Sequence, residues 1–96
     1  MVKVVVKLYA RLEELAGFSN LELEISGKPS LKDLLDRLGE RFGTDFRNIL
    51  ESPSDEYGHY SSAILINDRD FKKMDGLKTE LKENDVIRII PPIFGG

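Results

Sequence analysis

The stretch Ser30-Leu31-Lys32-Asp33-Leu34-Leu35-Asp36-Arg37-Leu38-Gly39-Glu40-Arg41-Phe42-Gly43 has a helical period with a start and a stop. Leu31, Leu34, Leu35, Leu38 and Phe42 recur at the spacing that lines up one apolar stripe, while Lys32, Asp36, Arg37, Glu40 and Arg41 cover the other sides. Ser30 is placed to accept the backbone N–H of Asp33, whose carboxylate falls in the first turn, where the helix dipole favours it. Gly39 inside the helix costs about 1 kcal/mol against alanine, and Gly43 ends it. Such a helix needs an apolar surface to lie on, and the chain on either side supplies strands.

Before the helix, Val2, Val4, Val6 and Leu8 alternate with Lys3, Val5, Lys7 and Tyr9, a period of two and so a strand with one buried side. Arg11 to Ala16 is a short helical or turn segment, stopped by Gly17. Leu21, Leu23 and Ile25 alternate with Glu22, Glu24 and Ser26, a second strand that the short connection pairs antiparallel with the first. Gly27-Lys28-Pro29 breaks it.

After the helix, Asp45 to Leu50 is read as a further turn or two of helix, and Glu51 to Tyr60 is polar and turn-rich. His59 falls there as a solvated loop histidine, with no second ligand or nucleophile beside it. Ala63-Ile64-Leu65-Ile66-Asn67 is a strand apolar on both faces, followed by an Asn67-Asp68 turn and a short partner expected around Phe71 to Lys73. Asp75-Gly76 turns the chain again, Leu77 and Leu81 tuck into the core, and Asn84-Asp85 launches a last strand, Val86 to Ile90. The order predicts an α+β fold with one main helix across one face of a mixed sheet. If Val2, Val4, Val6, Leu8, Ile64, Ile66, Ile87 and Ile89 face the helix, then Val5, Tyr9, Ala63, Leu65, Val86 and Ile90 form an apolar patch on the open face with a rim of Lys3, Lys7 and Arg88.

Pro91-Pro92-Ile93-Phe94-Gly95-Gly96 follows the last strand directly. Two prolines supply no N–H, so the ladder ends there while the backbone stays extended. Six residues at roughly 3.3 Å each carry the terminal carboxylate about 20 Å from the sheet. Gly95 and Gly96 pass a narrow channel at any φ and leave the terminal carbonyl unshielded. The expected organisation is a domain over residues 1–90 and a flexible reactive tail over 91–96.

The 96 residues suffice for one core but not for a catalytic cleft between lobes, so chemistry is expected to be shared with a partner. A net charge of -3 with both signs interspersed gives no basic stripe for nucleic acid. Cysteine is absent, which excludes disulfides, thiolate nucleophiles and thiolate metal sites, and one histidine makes no zinc site. No segment approaches the ~20 apolar residues of a membrane span. A soluble, cytoplasmic protein binding neither nucleic acid, membrane nor metal is expected.

Taken together, the Val4–Leu8 strand running into Tyr9-Ala10-Arg11-Leu12-Glu13-Glu14-Leu15-Ala16-Gly17, the Ser30-Leu31-Lys32-Asp33-Leu34-Leu35 helix start, Ile64-Leu65-Ile66-Asn67, Asp75-Gly76-Leu77-Lys78-Thr79-Glu80-Leu81, Asn84-Asp85-Val86-Ile87 and the Pro-Pro-x-x-Gly-Gly end resemble the ubiquitin-like β-grasp sulfur carriers. MoaD, the small subunit of molybdopterin synthase, and the thiamine carrier ThiS belong to that family, and archaeal ubiquitin-like modifiers are relatives. The resemblance implies a β-grasp fold with a mixed four- to five-stranded sheet. It also implies that the Gly96 carboxylate is adenylated by a ubiquitin-activating-like adenylyltransferase (MoeB-like) using ATP and Mg2+, and then converted to a thiocarboxylate by a persulfide sulfur donor. The tail, with Gly95 and Gly96 at its tip, would enter a MoaE-like large subunit and give up sulfur for molybdopterin, the organic part of the molybdenum or tungsten cofactor. Tyr9 and Ile90 match apolar contact positions of the family, with Pro91, Pro92, Ile93 and Phe94 completing the surface offered to partners. This chain would bind no cofactor itself and would not be catalytic alone. Conjugation of Gly96 to lysines as a protein modifier, or sulfur delivery to thiamine or tRNA, starts from the same acyl-adenylate. The family's Asn-Gly turn is Asn67-Asp68 here, and the loop from Glu51 to Ser62 is long.

Overall fold

The computed structural model describes residues 1–51 and 62–91. Strand β1 spans Val2–Leu8, helix α1 Ala10–Ala16, β2 Asn20–Ile25, α2 Leu31–Phe42, α3 Thr44–Glu51, β3 Ala63–Ile66, β4 Arg69–Asp70 and β5 Val86–Ile90. The five strands form one mixed sheet in the order β2-β1-β5-β3-β4. β1 and β2 are antiparallel, as the short connection predicts, and β5 lies between β1, to which it is parallel, and β3, to which it is antiparallel. This is the ubiquitin-like β-grasp architecture.

The predicted period of two separates the faces of β1. Val4, Val6 and Leu8 are at most 1% exposed and meet the buried stripe of α2, Leu31, Leu34, Leu35 and Leu38. Ile64, Ile66, Ile87 and Ile89 join that core as predicted, while Val2 at the strand start is half-buried. The α2 capping box is complete: the Asp33 N–H donates to Ser30 Oγ at 3.2 Å, and the Ser30 N–H donates to Asp33 Oδ2 at 2.9 Å. Replacing such a cap with alanine costs about 1 kcal/mol.

Gly39 has a packing reason as well as a propensity cost. It is buried where α3 folds back on α2, and a Cβ there would stand 2.7 Å from Arg47 Nε. Phe46 completes this corner; it is fully buried, with its ring 5.1 Å from that of Phe42.

The short partner of β3 is Arg69–Asp70 rather than the stretch around Phe71 to Lys73. Phe71–Lys73 is a 3-10 turn capped by Asp70, whose carboxylate accepts the Lys72 N–H at 2.9 Å. Phe71 is 4% exposed, so the turn serves to drive an aromatic ring into the core. Leu81 is buried and Leu77 packs partly buried against the same cluster, as read from the sequence.

Candidate functional site

The open face of the sheet is built in rows by the strand register. In one row Glu22, Val5 and Val86 are neighbours across β2, β1 and β5; in the next, Asn20, Lys7, Arg88, Leu65 and Asp70 cross all five strands. The row beyond holds Ala63 opposite Ile90, and one step past the Leu8–Ile89 pair brings Tyr9 alongside Ile90. Val5, Leu65, Val86 and Ile90 are half-buried, and Tyr9 is 37% exposed.

The expected apolar patch is therefore present, and Lys3 lies at its edge opposite Glu24, but Lys7 and Arg88 do not belong to a rim. Lys7 and Arg88 are neighbours in the middle row, so a polar row crosses the patch between a Val5–Val86 strip and a Tyr9–Ile90–Ala63 strip. The reason is parity: Lys7 and Arg88 each sit two residues from the apolar residues on either side, and a shared parallel register sets them abreast. Arg88 is held by an ion pair with Asp68.

Asp68 was not among the residues read as functional from the sequence. Its signal was the Asn67-Asp68 turn, in which both residues have positive φ, 51° and 69°. A two-residue hairpin of this kind favours Asn, Asp or Gly because each tolerates the left-handed region. Asn67 does more than turn the chain. Its side chain donates to Asp85 at 2.8 Å and accepts the Val86 N–H at 2.9 Å, which fixes the start of β5. The turn therefore orients both the strand that leads to the tail and the arginine on it.

Tyr9 and Ile90 are brought together at the end of the sheet where β1 and β5, being parallel, both finish. Tyr9 is extended, with φ -133°, and the chain then enters α1 through Ala10 at φ +52°. A left-handed alanine costs about 1–2 kcal/mol, and such strain tends to persist where function holds it. Pro91 is buried, so the body of the domain continues one residue past β5. Pro92, Ile93, Phe94, Gly95 and Gly96 lie outside the described residues, as does His59.

Among the described residues no three His, Cys, Asp or Glu side chains are grouped to hold a metal ion, and no helix is long and apolar enough to cross a membrane. A cleft of about 280 Å³ opens beside Tyr9, lined also by Lys7, Leu8, Glu13, Ser19 and Asn20.

Residues 6–96 match the ThiS family. The chain belongs to the ThiS family. Within reach of this ThiS-family chain is a sulfur-carrier candidate from Archaeoglobus fulgidus, 30% identical over 82 residues that make up 84% of this chain and 91% of that protein. Among solved structures, small archaeal modifier protein 1 from Methanosarcina acetivorans is 36% identical with a TM-score of 0.78, over 100% of this chain and 98% of its own. A candidate molybdopterin converting factor subunit 1 from Pyrococcus furiosus is 30% identical with a TM-score of 0.76, over 97% of this chain and 100% of its own. The ThiS-family assignment and the β-grasp sheet thus agree, and they agree over nearly the whole chain.

Proposed function

We propose that this chain is a sulfur carrier, with the Gly96 carboxylate as the atom group that is activated and loaded. The observation that carries the reading is the adjacency of Tyr9 and Ile90 on the open face at the end where β5 leaves the sheet, in a member of the ThiS family. A partner that covers this end of the face lies next to the tail, so recognition of the body and access to Gly96 are one event. Proximity of this kind turns a bimolecular encounter of carboxylate and active site into an effectively unimolecular one.

The chemistry needs an external site. A carboxylate becomes a good electrophile only when one oxygen is made a leaving group, and the phosphate charge that develops must be neutralised. A MoeB-like adenylyltransferase with ATP and Mg2+ supplies this: a Gly96 oxygen attacks the α-phosphorus, pyrophosphate leaves, and an acyl-adenylate forms. A persulfide donor attacks the carbonyl carbon and AMP departs with one carboxylate oxygen. A second thiol of the donor then takes the sulfur–sulfur bond as a disulfide, leaving a thiocarboxylate on Gly96. This chain has no cysteine, so its carbonyl carbon is the atom that can bear the sulfur. We place the exchange in the cytoplasm and propose molybdopterin as the acceptor, reached through a MoaE-like subunit; the similarity to a candidate molybdopterin converting factor subunit supports this choice. Thiamine and tRNA thiolation are the other acceptors open to a carrier.

Intact mass after incubation with ATP, an activating enzyme and a persulfide source tests the proposal. One oxygen replaced by sulfur at the terminus is the expected result; an unchanged mass, or restored cofactor production by a chain lacking Gly96, would overturn it. The similarity to small archaeal modifier protein 1 favours one second reading, conjugation of Gly96 to lysines. Denaturing gels separate the two, since a modifier gives high-mass conjugates of this chain and a carrier gives the free thiocarboxylate.

A further inference from the structure

The sheet has two outer strands, β2 and β4, and they are unlike. β4 is two residues long and passes at once into a capped 3-10 turn. β2 runs for six residues, Asn20–Ile25, without proline or glycine. Its register with β1 sets Val6 opposite Leu21, and the Leu8 N–H donates to the Ser19 carbonyl at 2.9 Å. Bonded pairs in an antiparallel ladder recur at every second residue. Leu21, Leu23 and Ile25 therefore turn their main-chain groups toward β1, and Asn20, Glu22 and Glu24 turn theirs outward. Among the described residues, no main-chain hydrogen bond meets that outward row.

A row of unpaired N–H and C=O groups is a template for another strand. Charge decides which strand. Glu22 and Glu24 are exposed on the open-face side of this edge, with Lys3 of β1 opposite Glu24 on the inner side and no cross-strand cation on the outer side among the described residues. Pairing with the same edge of a second copy would set the glutamates of both copies against one another, which is unfavourable. A strand with lysine or arginine at alternate positions meets them with opposite charge, and its intervening apolar residues extend over the edge of the core at Leu21, Leu23 and Ile25, each 7% to 9% exposed. At its Asn20 end the edge opens into the cleft of about 280 Å³, to which Ser19 and Asn20 also belong and where Glu13 adds a third carboxylate and Lys7 one cation. A strand continuing past Asn20 finds a recess of side-chain size there.

We propose that the β2 edge and this cleft form a docking site for an extended, basic segment of a partner protein, which adds an outer strand to the sheet. The β2 edge uses neither the end of β5 nor the tail, so a strand confined to it leaves Gly96 free for a second protein. The cleft shares Tyr9 with the face proposed for the activating enzyme, so a segment that also fills the cleft competes with that enzyme.

The test is a titration of the 15N-labelled full chain with an end-blocked seven-residue peptide that alternates lysine and valine. The amides of Asn20, Glu22 and Glu24 are expected to shift and to exchange more slowly, beyond any change at Val5 and Val86. The same peptide N-methylated on the residues that face the edge keeps its charge but cannot form a ladder, and it should bind at least tenfold more weakly. The double variant Glu22→Lys, Glu24→Lys should lose the lysine peptide and gain a glutamate–valine peptide. Equal affinity for the N-methylated peptide would reduce the effect to charge attraction and overturn the proposal. So would shifts centred on Lys3, Val5 and Val86, the absence of binding, or self-association through β2 seen by sedimentation. The peptide comparison stands even where a variant fails to fold.

Discussion

Ile89 and Ile90 are consecutive, identical in chemistry and opposite in fate. Ile89 is fully buried under α2, whereas Ile90 stands half-buried on the open face between Tyr9 and Ala63. The same split runs through Val4, Val5 and Val6, of which the outer two are fully buried and the middle one is not. A single strand thus carries two kinds of apolar residue. Those on the covered face are enclosed by leucines and hold the fold together. Those on the other face have one side in water, and under the proposed function a partner completes their burial. On that reading, hydrophobicity in β1 and β5 answers two separate demands, stability and recognition, interleaved at a period of two.

The comparison breaks most visibly if the two isoleucines are truncated in turn. Ile89→Ala should cost about 3 kcal/mol, in the range for a large-to-small change in an enclosed core, measured as a lower urea midpoint with unchanged slope. Ile90→Ala should cost no more than about 1 kcal/mol by the same measurement. Equal losses would show that the open face is a second core. Ile90→Asp sharpens the functional half: affinity for the activating enzyme should fall at least tenfold, about 1.4 kcal/mol, with the fold retained by circular dichroism. Unchanged affinity would remove the open face from recognition.

A smaller effect is expected at the strained residue beside Tyr9. Ala10→Gly relieves a left-handed alanine and should raise stability by about 0.5–1 kcal/mol, after allowing for glycine's greater freedom when unfolded. A matching loss of partner affinity would show that the strain positions Tyr9. Least of all, Asp68→Asn keeps a residue that tolerates positive φ but removes the charge facing Arg88. Stability should change by less than about 0.5 kcal/mol, because Asp68 is exposed and water screens its half of the pair. Partner association should become more sensitive to salt, because a released guanidinium in the middle of the face is free to meet an acidic partner.

Much of this was legible in the chain because local chemistry and tertiary demand coincide there. The valines and lysines of β1, the Ser30–Asp33 box and the glycine at position 43 each specify their element without reference to anything distant. Asn67-Asp68 announced its hairpin for the same reason. Phe71 did not fit that logic. Its apolar ring suggests a strand, yet it is buried from a 3-10 turn, because Asp70 caps that turn and the sheet partner had already ended. Nor could local pattern place Lys7 abreast of Arg88: they are far apart in sequence and meet through the parallel pairing of β1 with β5. The Tyr9–Ile90 neighbourhood was legible from a family resemblance, and the row of charge beside it was not. Gly39 shows the middle case, since its cost was visible and its reason, the Arg47 side chain lying over it, required the second helix.

The position of β5 has a consequence for how the protein comes into being. β2-β1 and β3-β4 are two hairpins that touch no common strand except β5, which is the last of the five to be synthesised. Until residues 86–90 have cleared the ribosome the hairpins have no seam to join them, and a two-stranded ribbon by itself is at best marginal in water. The five-stranded sheet is therefore complete only once a contact has closed between the first strand and the last.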